Sequence, residues 1–286
     1  MKSIAKVMVL ATALACFGIS ASSSSARTME ASSEIWRPAP GVTWQWQLGG
    51  GELDASFDVD VYDIDGFDNS KAIVDRLHGK GSRAVCYVSV GSWENWRPDK
   101  GQFPKRVLGN KYYGWPGEKW LDIRRIDLLS PIMQSRMDMC AAKGFDAIEP
   151  DNMDGYANKT GFPLTYADQL RYNKWLADEA HQRGLSIAMK NNEAQVKDLL
   201  PYYDFAITED CFDGRWCGKM SPFVEQGKAV LAAEYTDTGM TKRRFCPKAG
   251  TLNFDAILKK EILAPGAAPA RRKTARPPGL ERGYAT

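Results

Sequence analysis

Short runs of apolar, β-favouring residues recur along this chain, and stretches with helical spacing separate several of them. The runs fall at residues 43–48, 59–63, 83–90, 146–149, 186–189, 205–208, 229–233 and 251–253, which makes eight expected strands. Between them, apolar positions at three- and four-residue intervals predict helices over 73–80, 132–143, 167–183 and 223–226. Gly81, Gly144, Gly184 and Gly227 stand just past those helices, and each is followed within a few residues by the next strand. Repeated strand–helix units with such connections imply a parallel sheet. The stretch 27–263 is close to the ~250 residues of a single eight-fold barrel, so the expected architecture is one α/β domain, a (β/α)8 TIM barrel. No glycine-rich phosphate loop follows the first strand, which argues against a doubly wound nucleotide-binding sheet.

The two ends differ from this pattern. Lys2 and Lys6 precede an apolar run, Val7 to Ile19, and a small-residue stretch to Ala26, the layout of a signal peptide over residues 1–26. Secretion or residence in the periplasm is expected, with lipidation at Cys16 as the rival reading. No later segment has the apolar length of a membrane span. Residues 264–286 are rich in Pro, Arg and Ala without periodicity and are expected to form a disordered tail. The chain as a whole carries +3. Setting aside the two leader lysines and the tail's five Arg and Lys residues leaves a mildly acidic domain, so nucleic acid is not an expected partner. The mature chain keeps five cysteines, Cys86, Cys140, Cys211, Cys217 and Cys246, enough for at most two bridges. Cys211 and Cys217 either close a small loop or pair one of their number with Cys246, and Cys86 has the setting of a buried strand residue.

In a parallel barrel the strands' C-terminal ends converge on one mouth. Here those ends carry Asp63 and Asp65, then Ser92, Glu94 and Arg97, then Glu149, Asp151, Asn152 and Asp154, then Lys190 and Asn191, then Glu209 and Asp210, then Glu234, Tyr235 and Asp237. One Asp or Asn after a strand is as readily a helix cap as a reactive group. Six such ends in succession are harder to explain structurally, because gathered carboxylates repel one another. A glycosidase needs them: one carboxyl to protonate the leaving oxygen, another to attack or to activate water. Other chemistries fit poorly. His78 and His181 are the only histidines, both near helix ends, which leaves no Ser-His-Asp triad and no multi-histidine metal site. Aligning Gly66 with the glycine of a calcium-binding loop puts Val61 and Ala72 at ligand positions. No metal and no cofactor are expected. Trp44, Trp46, Trp93, Trp96, Trp115 and Trp120 lie on or beside expected loops, where aromatic faces can stack on sugar rings.

Several strings, in order, resemble glycoside hydrolase family 114: WQWQ at 44–47, VYDID at 61–65, CYVSVGSWENWRPD at 86–99, WLDIR at 120–124, GFDAIEPDNMD at 144–154 and ITEDCF at 207–212. The likeness spans residues 44–258. It implies the same barrel and endo-α-1,4-polygalactosaminidase activity. Transferred by motif, Asp151 would be the nucleophile and Glu209 the general acid/base, with Asp63, Asp65, Glu94, Asp154, Lys190 and Glu234 lining sugar subsites and Trp44 and Tyr87 contributing aromatic contacts. The expected partner is a polysaccharide, cationic and rich in galactosamine, bound by a monomer. A barrel that binds glycan without cleaving it, and a hydrolase of another glycan, are the alternatives.

Overall fold

The computed structural model describes residues 34–49 and 51–263. The leader expected over 1–26, with Cys16, and the tail expected from 264 lie outside the described residues. Eight parallel strands form one sheet: β1 (Trp44–Gln47), β2 (Val61–Asp65), β3 (Arg83–Ser89), β7 (Ala147–Asp151), β8 (Ser186–Lys190), β9 (Phe205–Glu209), β10 (Val230–Tyr235) and β11 (Asp255–Lys259), hydrogen-bonded in that order. The sheet curls into a nearly closed TIM barrel. Between its end strands, side chains make the join: the Trp44 indole donates to the Asp255 carbonyl at 2.7 Å, and Lys259 Nζ donates to Gln45 Oε1 at 2.9 Å.

Helices α1 (Lys71–Gly79), α2 (Ile126–Lys143), α3 (Tyr166–Gln182), α4 (Val196–Leu199), α5 (Ser221–Glu225) and α6 (Lys242–Leu252) lie between strands. Local chemistry sets their ends. Thr165 and Asp168 form a capping box at the start of α3, each side chain taking the other's backbone N–H. Gly144 closes α2 at φ +85°, a left-handed position that glycine reaches without a Cβ clash. The eighth strand lies further along than expected, at 255–259. Residues 251 and 252 finish α6, and Asn253 ends it in the left-handed conformation. The connection from β3 to α2 also holds an unexpected feature. There β4 (Ser92–Glu94), β6 (Glu118–Leu121) and β5 (Leu108–Lys111) form an antiparallel sheet beside the barrel mouth.

Strand residues alternate between two cores. Tyr62, Ile64, Cys86, Val88, Ile148, Ile187 and Met189 face the helices. Val61, Val85, Ala147, Ala188, Phe205, Ile207, Leu231, Ala233 and Ile257 fill the barrel axis with Trp44 and Trp46. Two disulfides form, Cys86–Cys140 and Cys211–Cys217, while Cys246 is free. Cys86, expected to be merely buried, ties β3 to α2. Among the described residues, no helix is long and apolar enough to cross a membrane.

Candidate active site

The apolar plug gives way, toward the C-terminal ends of the strands, to polar inward positions: Asp63 and Asp65 on β2, Tyr87 on β3, Glu149 and Asp151 on β7, Lys190 on β8, Glu209 on β9 and Tyr235 on β10. Period-two alternation along each strand puts these residues on the same side as the apolar plug below them. Three of the strands end alike. Asn152, Asn191 and Asp210, the residues after Asp151, Lys190 and Glu209, have φ of 64°, 49° and 48°. Asn and Asp tolerate that region best among residues with a Cβ, and the sharp reversal leaves the preceding side chain standing at the rim. Gly91 serves the same region, since a Cβ there would lie 1.7 Å from the Asn152 carbonyl oxygen.

Lys190 is the hub. Its Nζ lies 2.7 Å from Glu149 Oε1, 2.9 Å from Asp151 Oδ1 and 2.9 Å from Glu209 Oε2, with the Trp46 ring centroid at 4.8 Å. Burial works against the ammonium charge, but Asp151, Glu149 and Glu209 outweigh it and hold its pKa well above the usual lysine range. Each outer carboxylate has a tyrosine: Tyr87 donates to Asp151 Oδ2 at 2.9 Å, and Tyr235 donates to Glu209 Oε1. Asn191 brackets Glu209, accepting from its backbone N–H at 2.9 Å and donating to Oε2 at 3.3 Å. Side-chain exposure separates the carboxylates by reach. Glu149 is at 0%, Asp151 at 19% and Glu209 at 29%, so the last two meet whatever enters the cleft.

That cleft has a volume of about 370 Å³. Asp65, Tyr87, Glu94, Asp151, Asp154, Lys190 and Glu209 line it, all expected from the sequence. Asp65 and Glu94 are already engaged: Arg97 grips Asp65 at 2.9 and 2.7 Å and Glu94 at 2.8 Å. Three expected residues do not line it. Asp63 has the right phase but sits one layer below Asp65 and is fully buried. Trp44 lies likewise below Trp46, which does line the cleft, and packs into the barrel core. Glu234 is out of phase with its inward neighbours Ala233 and Tyr235. It points away from the mouth and accepts the backbone N–H groups of Phe212 and Asp213 at 2.7 and 3.1 Å. Cys211, Cys217 and Glu234 bring three metal-type donor atoms together, but both sulfurs are committed to the disulfide.

The antiparallel sheet, which the sequence did not announce, and its turns supply a wall that carries two of the tryptophans expected beside sugar. Trp96 and Trp115 are about half exposed and face the cleft. Tyr112 stacks on Trp120 at 4.5 Å between centroids and lines the same space. Glu118 accepts from Ser92 Oγ at 2.6 Å. Burial pushes the Glu118 carboxyl up to about 7, and burial together with the charge of Asp151 pushes Asp154 up to about 6. Among the described residues that line the cleft, Asp65, Asp68, Glu94, Glu118, Asp151, Asp154, Glu209 and Glu261 are acidic, and Arg97 and Lys190 are basic. The lining is therefore predominantly acidic.

Comparison with known proteins gives a consistent picture. The family model described as Glycoside-hydrolase family GH114 matches residues 25–275. The crystal structure of Aspergillus fumigatus Ega3 in complex with galactosamine superimposes with a TM-score of 0.78 at 36% identity, covering 82% of this chain and 97% of that one. The glycoside hydrolase domain of PelA from Pseudomonas aeruginosa, at 13% identity and a TM-score of 0.63, covers 80% of this chain and 98% of its own; the likeness is one of fold. A search of curated proteins finds no match.

Proposed function

The chain belongs to glycoside-hydrolase family GH114 and is a glycoside hydrolase, and from that premise we propose that it is an exported endo-enzyme cleaving α-1,4-linked galactosamine polysaccharide through Asp151 and Glu209. One observation carries the reading: two cleft carboxylates are held by a single lysine, each 2.9 Å from its Nζ. Those two oxygens can be no more than ~5.8 Å apart, twice that distance. Such closeness favours the roughly 5–5.5 Å spacing of retaining enzymes over the wider gap that accommodates a water in inverting ones. In this mechanism Asp151, steadied by Tyr87 and Lys190, attacks the anomeric carbon. Glu209 gives its proton to the glycosidic oxygen, which leaves as the new chain end. Glu209 then takes a proton from water, whose oxygen displaces Asp151 and releases the sugar with its configuration kept.

The substrate assignment rests on charge and on likeness. Unacetylated galactosamine is a cation, the cleft is dominated by carboxylates, and the structure of Ega3, 36% identical, is a complex with galactosamine. Export is supported by the leader-like residues 1–26 and by two disulfides, which persist in oxidising compartments. The test is reducing-end release by the mature protein from α-1,4-polygalactosamine and from the same polymer fully N-acetylated. Release from the free-amine polymer is expected to be faster by roughly 10-fold or more, the worth of about one charge-assisted hydrogen bond. Equal or reversed preference would overturn the substrate assignment while leaving the hydrolase.

The same carboxylates make affinity depend on pH. Asp154 and Glu118 are pushed up to about 6 and about 7, far above the usual carboxylate range, so acidification removes anions from the cleft, and below about pH 6.5 it does so while the sugar amine is already largely protonated. KM is expected to rise roughly 10-fold between about pH 6.5 and 5, for the loss of about one ionic contact. Asp154→Asn should flatten the lower part of that profile, and a KM that falls on acidification would contradict the ammonium contact.

A further inference from the structure

Beneath the cleft the barrel holds a second pair of carboxyl groups that no step of the reaction touches. Asp63 and Glu149 are both fully buried. Glu149 has its two oxygens filled, Oε1 by Lys190 Nζ at 2.7 Å and Oε2 by the Trp46 indole N–H at 3.1 Å. Among the described residues, neither oxygen of Asp63 meets an N–H or O–H donor. Its polar neighbour is Glu149 itself. Two buried anions in contact, sharing one ammonium with two further carboxylates, would be strongly unfavourable. One proton between them removes the conflict.

We propose that Asp63 is a protonated positioning residue: it donates a hydrogen bond to Glu149, which keeps one negative charge and uses it to seat Lys190 between Asp151 and Glu209. The direction of titration agrees, since burial first and the neighbouring Glu149 charge second raise the Asp63 carboxyl well above its ordinary range. The charge count then closes for the buried layer, with one anion on Glu149 facing one cation on Lys190. That cation in turn fixes both outer carboxylates, so a tilt of Glu149 reaches the reacting pair through one atom. Asp63 itself meets no substrate.

The proposal rests on Asp151 and Glu209 being the reacting pair, and its test uses whichever glycan the wild-type enzyme cleaves. Asp63→Ala removes the donor and leaves Glu149 loose; kcat is expected to fall about 100-fold, the cost of misplacing reacting groups by about 1 Å, with KM within about threefold. Asp63→Asn keeps an N–H donor and is expected to restore kcat to within about 10-fold of wild type, since positioning is retained. An Asn variant as slow as the Ala variant would mean that the ionised form matters, and a change confined to KM would mean that Asp63 touches substrate; either overturns the proposal. Infrared spectroscopy needs no substrate. Wild-type protein at pH 7 should show the carbonyl band of a protonated carboxylic acid that Asp63→Asn lacks. Absence of that band from wild type overturns the proposal, whereas a wild type inactive on galactosamine polymers but showing the band would fault only the substrate reading.

Discussion

Asp151→Asn is expected to lower turnover of galactosamine polymer by roughly 10⁴-fold or more, the scale seen when an enzyme loses its covalent nucleophile. The amide is nearly isosteric and still accepts from Tyr87, which donates to Oδ2 at 2.9 Å. The circular dichroism spectrum should therefore be unchanged. An aryl glycoside with a good leaving group should suffer as severely, because bond formation to the anomeric carbon is what has been removed. Polymer turnover within about 10-fold of wild type would show that another carboxylate attacks, since loss of a true nucleophile costs far more.

Glu209→Gln is expected to behave differently. Polymer cleavage should fall by roughly 10²–10⁴-fold, the contribution of a positioned proton donor. Attack by Asp151 on an activated aryl glycoside needs no such donor, so formation of the glycosyl-enzyme from it should be largely spared and its hydrolysis slowed. A burst of aryl alcohol followed by slow steady state is the signature. Gln keeps one acceptor oxygen for the Tyr235 hydroxyl, and its backbone N–H still donates to Asn191 Oδ1. Equal losses on both substrates, without a burst, would remove Glu209 from the acid/base role.

Much of the barrel can be read from the sequence because its strands are buried on both faces and appear as apolar runs. The eighth was misplaced where the helix-to-strand boundary turns on Asn253, a polar residue that takes a left-handed conformation and so ends α6 where a glycine would otherwise be sought. The antiparallel sheet was not legible. Its strands span three or four residues, and they include positions such as Asn110 and Lys111 that are exposed to water. At the site, seven of the residues expected at strand ends share the cleft. Phase and depth decided the rest. Glu234 falls on the outward phase, while Asp63 and Trp44 hold the inward phase one layer too deep. A count of acidic residues carries neither quantity. Tyr235 was placed at the mouth without a role, and Glu118 was passed over, because a phenol orienting a carboxylate, or a carboxylate on a side wall, leaves no local motif.

The wall of the cleft and its floor have different origins in the chain. The floor gathers single side chains from strands scattered between β2 and β10, whereas Trp96, Tyr112, Trp115 and Glu118 all come from one uninterrupted stretch between β3 and α2. Changes to the parts of that stretch that make no bond to the barrel strands would leave those strands in register, whereas Arg97 ties it to Asp65 of β2. A chimaera grafted at the two ends of that cassette, with Arg97 kept, is expected to change which polymer is turned over while the floor side chains stay in place.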